Sequence, residues 1–109
     1  MFQDLYAAFN ARDLDAVLEK FAPDVDWANG FQGGRVHGRE AVRAYWTEQF
    51  TQIHPRVEAT SVTEREDGRV EVAVHQLLYT VADELLDDSN VLHVYTLNDD
   101  GLIARIDIE

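Results

Sequence analysis

Hydrophobic side chains near the start of the chain recur three or four positions apart, as they do along one face of an α-helix. The first such stripe consists of Phe2, Leu5, Tyr6 and Phe9. The second consists of Leu14, Val17, Leu18 and Phe21. Asp13 precedes the second stripe and is a suitable N-cap, because its carboxylate can accept a hydrogen bond from an orphan backbone N–H. The pattern predicts two short helices that meet at a corner over residues 10–13.

Strict alternation of apolar and polar positions replaces the helical spacing after Pro23, which cannot continue a helix. Val25-Asp26-Trp27 alternate in this way and predict a strand. Residues 30–38 contain four glycines and predict a loop. Helical spacing returns over residues 39–52, which predict a third helix that ends before Pro55.

The remainder of the chain has the pattern of antiparallel hairpins. Strands are predicted over residues 56–65, 69–81, 91–97 and 102–108. Asp67-Gly68 is a dipeptide typical of hairpin turns, whereas residues 82–90 fit neither helical nor strand periodicity. Because the helices precede the antiparallel strands, the sequence predicts one α+β domain over residues 1–109, with helices on one face of a curved sheet.

Composition narrows the possible functions. The formal net charge of −12 disfavours nucleic acid and anionic membranes, whose phosphates require Lys and Arg. No apolar run reaches membrane-spanning length, and the absence of cysteine excludes disulfides and thiolate metal sites. The histidines, His37, His54, His75 and His93, lack the short spacing of metal ligands. We therefore expect a cytoplasmic protein without a metal or a cofactor, and without nucleic-acid or membrane partners.

Three segments together resemble the bacterial SnoaL-like and ketosteroid isomerase-like branch of the nuclear transport factor 2-like superfamily. They are F-N-A-R-D-L-D-A-V-L-E-K-F-A-P-D-V-D-W at residues 9–27, G-R-E-A-V-R-A-Y-W at residues 38–46, and the pair H-V-Y-T-L and D-G-L-I-A-R within residues 93–105. The resemblance implies a cone-shaped α+β barrel, in which a curved mixed or antiparallel sheet and the N-terminal helices enclose a pocket. Only about ten residues precede the corner, so either the first helix is short or further residues precede it.

The resemblance also locates the catalytic positions of the family's isomerases. Their carboxylate base falls on Asn29, whose amide cannot accept a proton at neutral pH. Their helical tyrosine falls on Leu5, and Tyr6, one residue on, is expected to face elsewhere. Their late aspartic acid falls on Leu92. With all three roles vacant, we expect no ketosteroid isomerase activity.

Alignment with the family turns one face of the strand over residues 69–81 toward the pocket. His75 would lie on that face with Leu77 and Tyr79, either as a catalytic acid–base group or as a half-buried histidine satisfied by Asn29, Tyr79 or water. The predicted ligand-contacting residues are Trp27, Asn29, Trp46, Leu77, Tyr79, Leu92, Val94, Thr96 and Ile106. Asp107 shares its face with Arg105, so a surface ion pair is favoured over a catalytic role.

The same alignment places another set of apolar residues on the outer sheet face. They are Val70, Val72, Val74, Val91, Tyr95 and Leu97. His93, two positions before Tyr95, is expected on the same face. Because soluble proteins rarely expose so large an apolar patch, we expect a homodimer through this face. Two functions remain open. One is a non-catalytic homodimer that binds a small apolar molecule, and the other is a small enzyme for proton transfer, dehydration or cyclisation with His75 as the acid–base group.

Overall fold

The N-terminal helices meet at the predicted corner. The computed structural model describes residues 2–28 and 34–109, with helices α1 (Phe2–Asn10), α2 (Leu14–Leu18) and α3 (Arg39–Gln49). The Asp13 side chain accepts a hydrogen bond from the backbone N–H of Ala16 at 3.2 Å, which confirms the predicted cap. Arg12 has a φ of +62° at the corner, and its guanidinium donates to the Pro55 carbonyl at 2.7 Å. That bond fastens the corner to the sheet.

In the described part of the chain, a six-stranded mixed sheet forms the other layer. Its strands are β1 (Phe21–Ala28), β2 (Arg35–His37), β3 (Ile53–Glu64), β4 (Val70–Thr80), β5 (Leu85–Leu97) and β6 (Ile103–Ile108). The order is β2-β1-β6-β5-β4-β3, with β1 and β6 parallel and the other neighbours antiparallel. The α+β class is therefore confirmed. Over residues 2–28 and 34–109 the sheet is open, with β2 and β3 at its edges, and it does not close into the expected barrel.

Several element boundaries differ from the prediction because prolines are tolerated where a strand lacks a neighbour. Pro55 lies inside β3, an edge strand, and Pro23 lies inside β1, where the pairing with β6 is irregular between Phe21 and Asp26. The strand β5 also begins at Leu85, within the stretch that showed no pattern. β2 occupies part of the predicted loop, and residues 29–33 lie outside the described part of the chain.

The inner face of the sheet is the opposite of the predicted one. Val72 and Val74 of β4 are 0% and 1% exposed and belong to the hydrophobic core, as does Tyr95 of β5. The residues Val70, Val91 and Leu97 pack against that core. The proposed apolar dimer patch is therefore wrong, since its members face the helices. The homodimer itself stays a prediction without that surface.

The outer face carries mainly polar and charged side chains near β6. Arg105 contacts Asp107 at 3.0 Å, which confirms the predicted ion pair, and Arg35 joins it by contacting Asp107 at 3.2 Å and Asp26 at 2.5 Å. Hydrogen bonds from Arg105 lower the pKa of Asp107. The carboxylate is thus held ionised within an ion-pair network. Among the described helices, none is both long and apolar enough to cross a bilayer.

Candidate functional site

A cavity of about 130 Å³ lies between the helices and the inner face of the sheet. Leu5 and Phe9 of α1, Trp46 of α3 and Trp27 of β1 contribute to its walls. The remaining apolar lining comes from Val17, Phe21, Ala28, Pro55, Val57, Val91 and Ile108. The lining residues in the described part of the chain include no Asp, Glu, Lys or Arg. The cavity therefore offers a largely apolar, uncharged environment.

Aromatic rings hold one wall of this cavity in place. The rings of Phe21 and Trp27 stack with their centroids 5.2 Å apart. Trp46 meets Trp27 edge-on at 5.1 Å and Phe9 edge-on at 5.3 Å. Such offset and edge-to-face pairs add roughly 0.5–1.5 kcal/mol each beyond area burial. The wall is therefore a rigid surface on which a flat ring could pack.

The lining also contains a buried polar cluster of Tyr6, His93 and Tyr95. The Tyr6 hydroxyl lies 2.9 Å from His93 Nδ1 and 2.7 Å from the Tyr95 hydroxyl. Tyr6 lies on the buried face of α1, while His93 and Tyr95 are two positions apart on β5 and so share one face. The fold thus brings together residues separated by 87 and 89 positions.

Burial controls the protonation of this cluster. Desolvation lowers the pKa of His93 to about 4, because a charged imidazolium is disfavoured in an apolar site. Desolvation also raises the pKa of both Tyr6 and Tyr95 above the ordinary tyrosine value. At neutral pH the cluster therefore consists of two hydroxyls and a neutral imidazole.

A second, less buried polar group lies on α3. Gln49 donates a hydrogen bond to the Tyr45 hydroxyl at 2.8 Å, and both side chains line the cavity. Burial raises the pKa of Tyr45, so this hydroxyl is also protonated at neutral pH. Gln76 of β4 contributes a further neutral amide. The described lining thus has polar groups at more than one place, none of them charged at neutral pH.

The structure places the predicted catalytic residue outside the cavity. His75 lies on the opposite face of β4 from Val74 and Gln76, and its Nε2 is 2.6 Å from an Asp88 carboxylate oxygen. Its side chain is 35% exposed. The predicted inward orientation of His75 is wrong, because a shift of one residue in a strand moves every side chain to the other face.

The same reversal affects most of the predicted ligand contacts. Those that lie on the outer face are Leu77 and Tyr79 of β4, and Leu92, Val94 and Thr96 of β5. Trp27 and Trp46 do line the cavity. Ile106 is 0% exposed within the core beside Tyr95 and does not reach the cavity surface. Asn29 lies outside the described residues.

The sequence predicts that all three residues of the polar cluster lie away from the pocket, whereas the structure places them in the cavity lining. Tyr6 was expected to face elsewhere, and His93 and Tyr95 were expected on the outer face. The signal for Tyr6 was present, since the helical stripe already placed it beside Phe2 and Leu5. For β5 no comparable signal existed, because both faces of the strand contain apolar side chains.

A shallower groove lies outside the sheet near the helix corner. Arg12, His54 and Tyr79 contribute to its surface, and His54 Nδ1 lies 3.8 Å from an Asp83 carboxylate oxygen. Its lining is more polar than that of the inner cavity. In the described part of the chain, no three His, Cys, Asp or Glu side chains are grouped so as to hold a metal ion.

Solved structures with the same fold come from several bacteria. A nuclear transport factor 2-like protein of unknown function from Burkholderia pseudomallei is 25% identical, with a TM-score of 0.84 over 99% of this chain and 86% of that one. A protein from Xanthomonas campestris, provisionally assigned as a polyketide cyclase, is 28% identical, with a TM-score of 0.74 over 98% and 84% of the two chains. Another provisional polyketide cyclase, from Sinorhizobium meliloti, is 24% identical, with a TM-score of 0.78 over 95% and 88%.

Sequence comparison agrees with the fold. No curated protein matches the chain. The model of the SnoaL-like domain matches residues 2–106, which is nearly the whole sequence. This match confirms the resemblance inferred from the three segments, and the chain belongs to the SnoaL-like domain family within the nuclear transport factor 2-like fold.

Proposed function

We propose that the inner cavity binds a small, uncharged and largely apolar ring compound, whose polar atom lies against Tyr6, His93 and Tyr95. The observation that carries the proposal is an aromatic cavity with a buried, neutral polar cluster on one side. Pockets for small molecules combine apolar walls with a few polar groups that fix orientation. The cavity of this chain has both components.

The cavity volume limits the size of the ligand. An engineered apolar cavity of about 150 Å³ is sufficient to bind benzene. The cavity here, about 130 Å³, therefore suits one six-membered ring with a small substituent. A steroid would not fit wholly inside this volume.

The absence of charge in the described lining limits the chemistry of the ligand. Moving an ionised carboxylate from water into an apolar site without a partner is very costly. We therefore expect neutral ring compounds to bind and carboxylic acids of the same size to be excluded at neutral pH.

The binding test uses tryptophan fluorescence, because both tryptophans of the chain, Trp27 and Trp46, line the cavity. Titration with cyclohexanone and phenol is expected to change the emission. Saturation at 100 times Kd should also stabilise the fold by about 2.7 kcal/mol. Absence of a fluorescence change and of stabilisation with both compounds at millimolar concentration would contradict the proposal.

A matched pair of variants localises the binding. Val91→Phe adds bulk to the cavity lining, whereas Leu92→Phe adds the same ring to the outer face of the same strand. We expect Val91→Phe to abolish ring binding and Leu92→Phe to leave it within about twofold, since a cavity this small cannot hold a second ring. Equal binding by both variants would place the ligand elsewhere.

A small enzyme is the second candidate, favoured by the two neutral hydroxyls and the neutral imidazole beside the cavity. Groups of this kind stabilise an enolate oxygen when a carbonyl compound loses an α-proton. The group inside the cavity that stabilises this oxygen would then be His93, because His75 faces outward, and the α-proton would pass to a water molecule. Exchange of the α-hydrogens of cyclohexanone in D₂O, followed by NMR, should exceed the buffer rate and be lost in His93→Leu.

Lack of ketosteroid isomerase activity remains part of the proposal. No carboxylate belongs to the described cavity lining, and the position of the family's base falls on Asn29. The expected orientation of Tyr6 and His93 away from the pocket is wrong, however, since both line the cavity. Conversion of a 5-ene-3-ketosteroid by the wild-type protein would contradict this part.

A further inference from the structure

The polar cluster has a hydrogen-bond arrangement that follows from counting its protons. The Tyr6 hydroxyl is within hydrogen-bond distance of both His93 Nδ1 and the Tyr95 hydroxyl. A hydroxyl has one proton to donate and can accept in addition. Tyr6 can therefore donate toward only one of its two neighbours.

The burial of Tyr95 decides whether Tyr6 donates its proton to Tyr95 or to His93. Tyr95 is 1% exposed, and in the part of the chain that the structure describes its hydroxyl has no hydrogen-bond partner except Tyr6. If Tyr6 donated to Tyr95, the Tyr95 proton would be buried without an acceptor, at a cost of about 1–3 kcal/mol. If Tyr95 and His93 both donated to Tyr6, the Tyr6 proton and the His93 Nε2 lone pair would both lack a partner among the described residues, which is one unpartnered group more than in the remaining arrangement.

One arrangement satisfies every hydroxyl of the cluster. Tyr95 donates to Tyr6, and Tyr6 donates to His93 Nδ1. Because the neutral imidazole carries one proton, an accepting Nδ1 requires that the proton reside on Nε2. Burial keeps the imidazole neutral by lowering the pKa of His93 to about 4. Within the described residues, His93 Nε2 has no hydrogen-bond partner, and the ring of His93 lines the cavity.

We propose that His93 is a neutral hydrogen-bond donor to the ligand, through Nε2–H, and that the cavity therefore selects ring compounds with a carbonyl oxygen, such as small cyclic ketones and lactones. This inference rests on the proposed function, since it names the ligand class of the same cavity. A donor without an acceptor of its own favours an acceptor atom in the ligand. A neutral imidazole can polarise a carbonyl while remaining uncharged.

The first test measures the protonated nitrogen of His93 in the ligand-free wild-type protein. A long-range ¹H–¹⁵N correlation spectrum at pH 7 distinguishes protonated from unprotonated ring nitrogens, and His93→Leu assigns the signals. We expect the proton on Nε2. A proton on Nδ1 would overturn the inference and leave the proposed function standing.

The second test compares two ligands of nearly equal shape. Cyclohexanone carries a carbonyl oxygen where methylenecyclohexane carries a CH₂ group. We expect cyclohexanone to bind about 3- to 10-fold more tightly, which is the usual net contribution of one hydrogen bond, after correction for the partition of each compound from water into alkane.

Variants show whether His93 is the source of that preference. His93→Leu removes the donor and is expected to bring the corrected ratio to about one, whereas His75→Leu, on the outer face, is expected to leave it unchanged. Equal binding of both compounds by the wild type would overturn the inference alone. Failure of both compounds to bind would overturn the proposed function and the ligand class with it.

Discussion

His93 is the residue whose environment has the clearest consequence for stability. Its pKa is lowered to about 4 in the folded protein by burial, against an ordinary value of 6.5. The unfolded chain therefore binds a proton at a pH where the folded protein does not, so the free energy of unfolding decreases as the pH falls through this range. The contribution is fully present above the ordinary pKa and is lost between about pH 6.5 and 4. Among the residues that the structure describes, the titratable groups in contact with the ring are Tyr6 and Tyr95, which remain protonated throughout.

We expect the wild-type protein to lose about 2 kcal/mol more stability than His93→Gln between pH 7 and pH 5. Urea unfolding of both proteins at the two pH values measures the difference. Because both proteins contain the other three histidines, the titration of those histidines contributes equally to the two losses and does not affect the difference. Asp107 has a lowered pKa and affects stability only at more acidic pH, below its ordinary value of 3.8. Equal losses in the two proteins would show that His93 titrates normally.

His75 provides the contrasting prediction for a polar residue on the outer face. Its imidazole contacts Asp88 at 2.6 Å and lies on the far side of β4 from the cavity. Because an exposed polar contact of this kind contributes at most about 1 kcal/mol, His75→Ala should remain folded. We expect it to bind cyclohexanone with the wild-type Kd within about twofold, as measured by tryptophan fluorescence. Loss of binding with an intact fold would restore His75 as a site residue.

The short helix α2 depends on its N-cap. It spans only five residues, and Asp13 accepts a hydrogen bond from the N–H of Ala16 at its first turn. Replacement of such a cap by alanine commonly lowers the free energy of unfolding by about 1 kcal/mol. We expect this loss in Asp13→Ala, measured by urea unfolding, and no comparable loss in Asp24→Ala, an exposed position on β1. Similar values for both would mean that the cap contributes nothing.

At the scale of elements, the sequence predicts which helices and strands form, and in what order, better than it predicts which face of each strand is buried. The helical stripes and the Asp13 cap identify α1 and α2, because helical spacing and capping are local properties. The strands after Gly68 are also predicted, because the alternation of side chains along a strand is a local property too. Which face of β4 is buried cannot be deduced locally, since Val72 and Val74 on one face and Leu77 and Tyr79 on the other are all apolar.

That ambiguity accounts for the missed site. Each strand face is decided by what packs on it, and α1 packs on the face of β5 that contains His93 and Tyr95. The family alignment was one residue away from the true register on both β4 and β5. A shift of that size keeps the predicted strand and reverses every side chain in it. Tyr6, by contrast, could have been placed from its own helical stripe.

The whole molecule carries a formal net charge of −12. Its negatively charged side chains repel one another in the folded state and so lower its stability. Salt weakens that repulsion, because the Debye length falls from about 30 Å at 0.01 M to about 8 Å at 0.15 M. We therefore expect the thermal unfolding midpoint to rise by a few degrees over this range of NaCl. A lower midpoint in the higher salt would show that the Arg35, Arg105, Asp26 and Asp107 network outweighs the net repulsion.

The distance along the chain between Tyr6 and its two partners has a consequence for synthesis. A ribosome delivers α1 first, and it must add nearly ninety further residues before His93 and Tyr95 exist. The hairpin of β3 and β4 can pair as soon as it emerges, since its strands are neighbours in the chain. α1 can pack on β3 at that stage, because Asn10 hydrogen-bonds the backbone of Val57, but the Tyr6 hydroxyl has neither of its partners until β5 has been made.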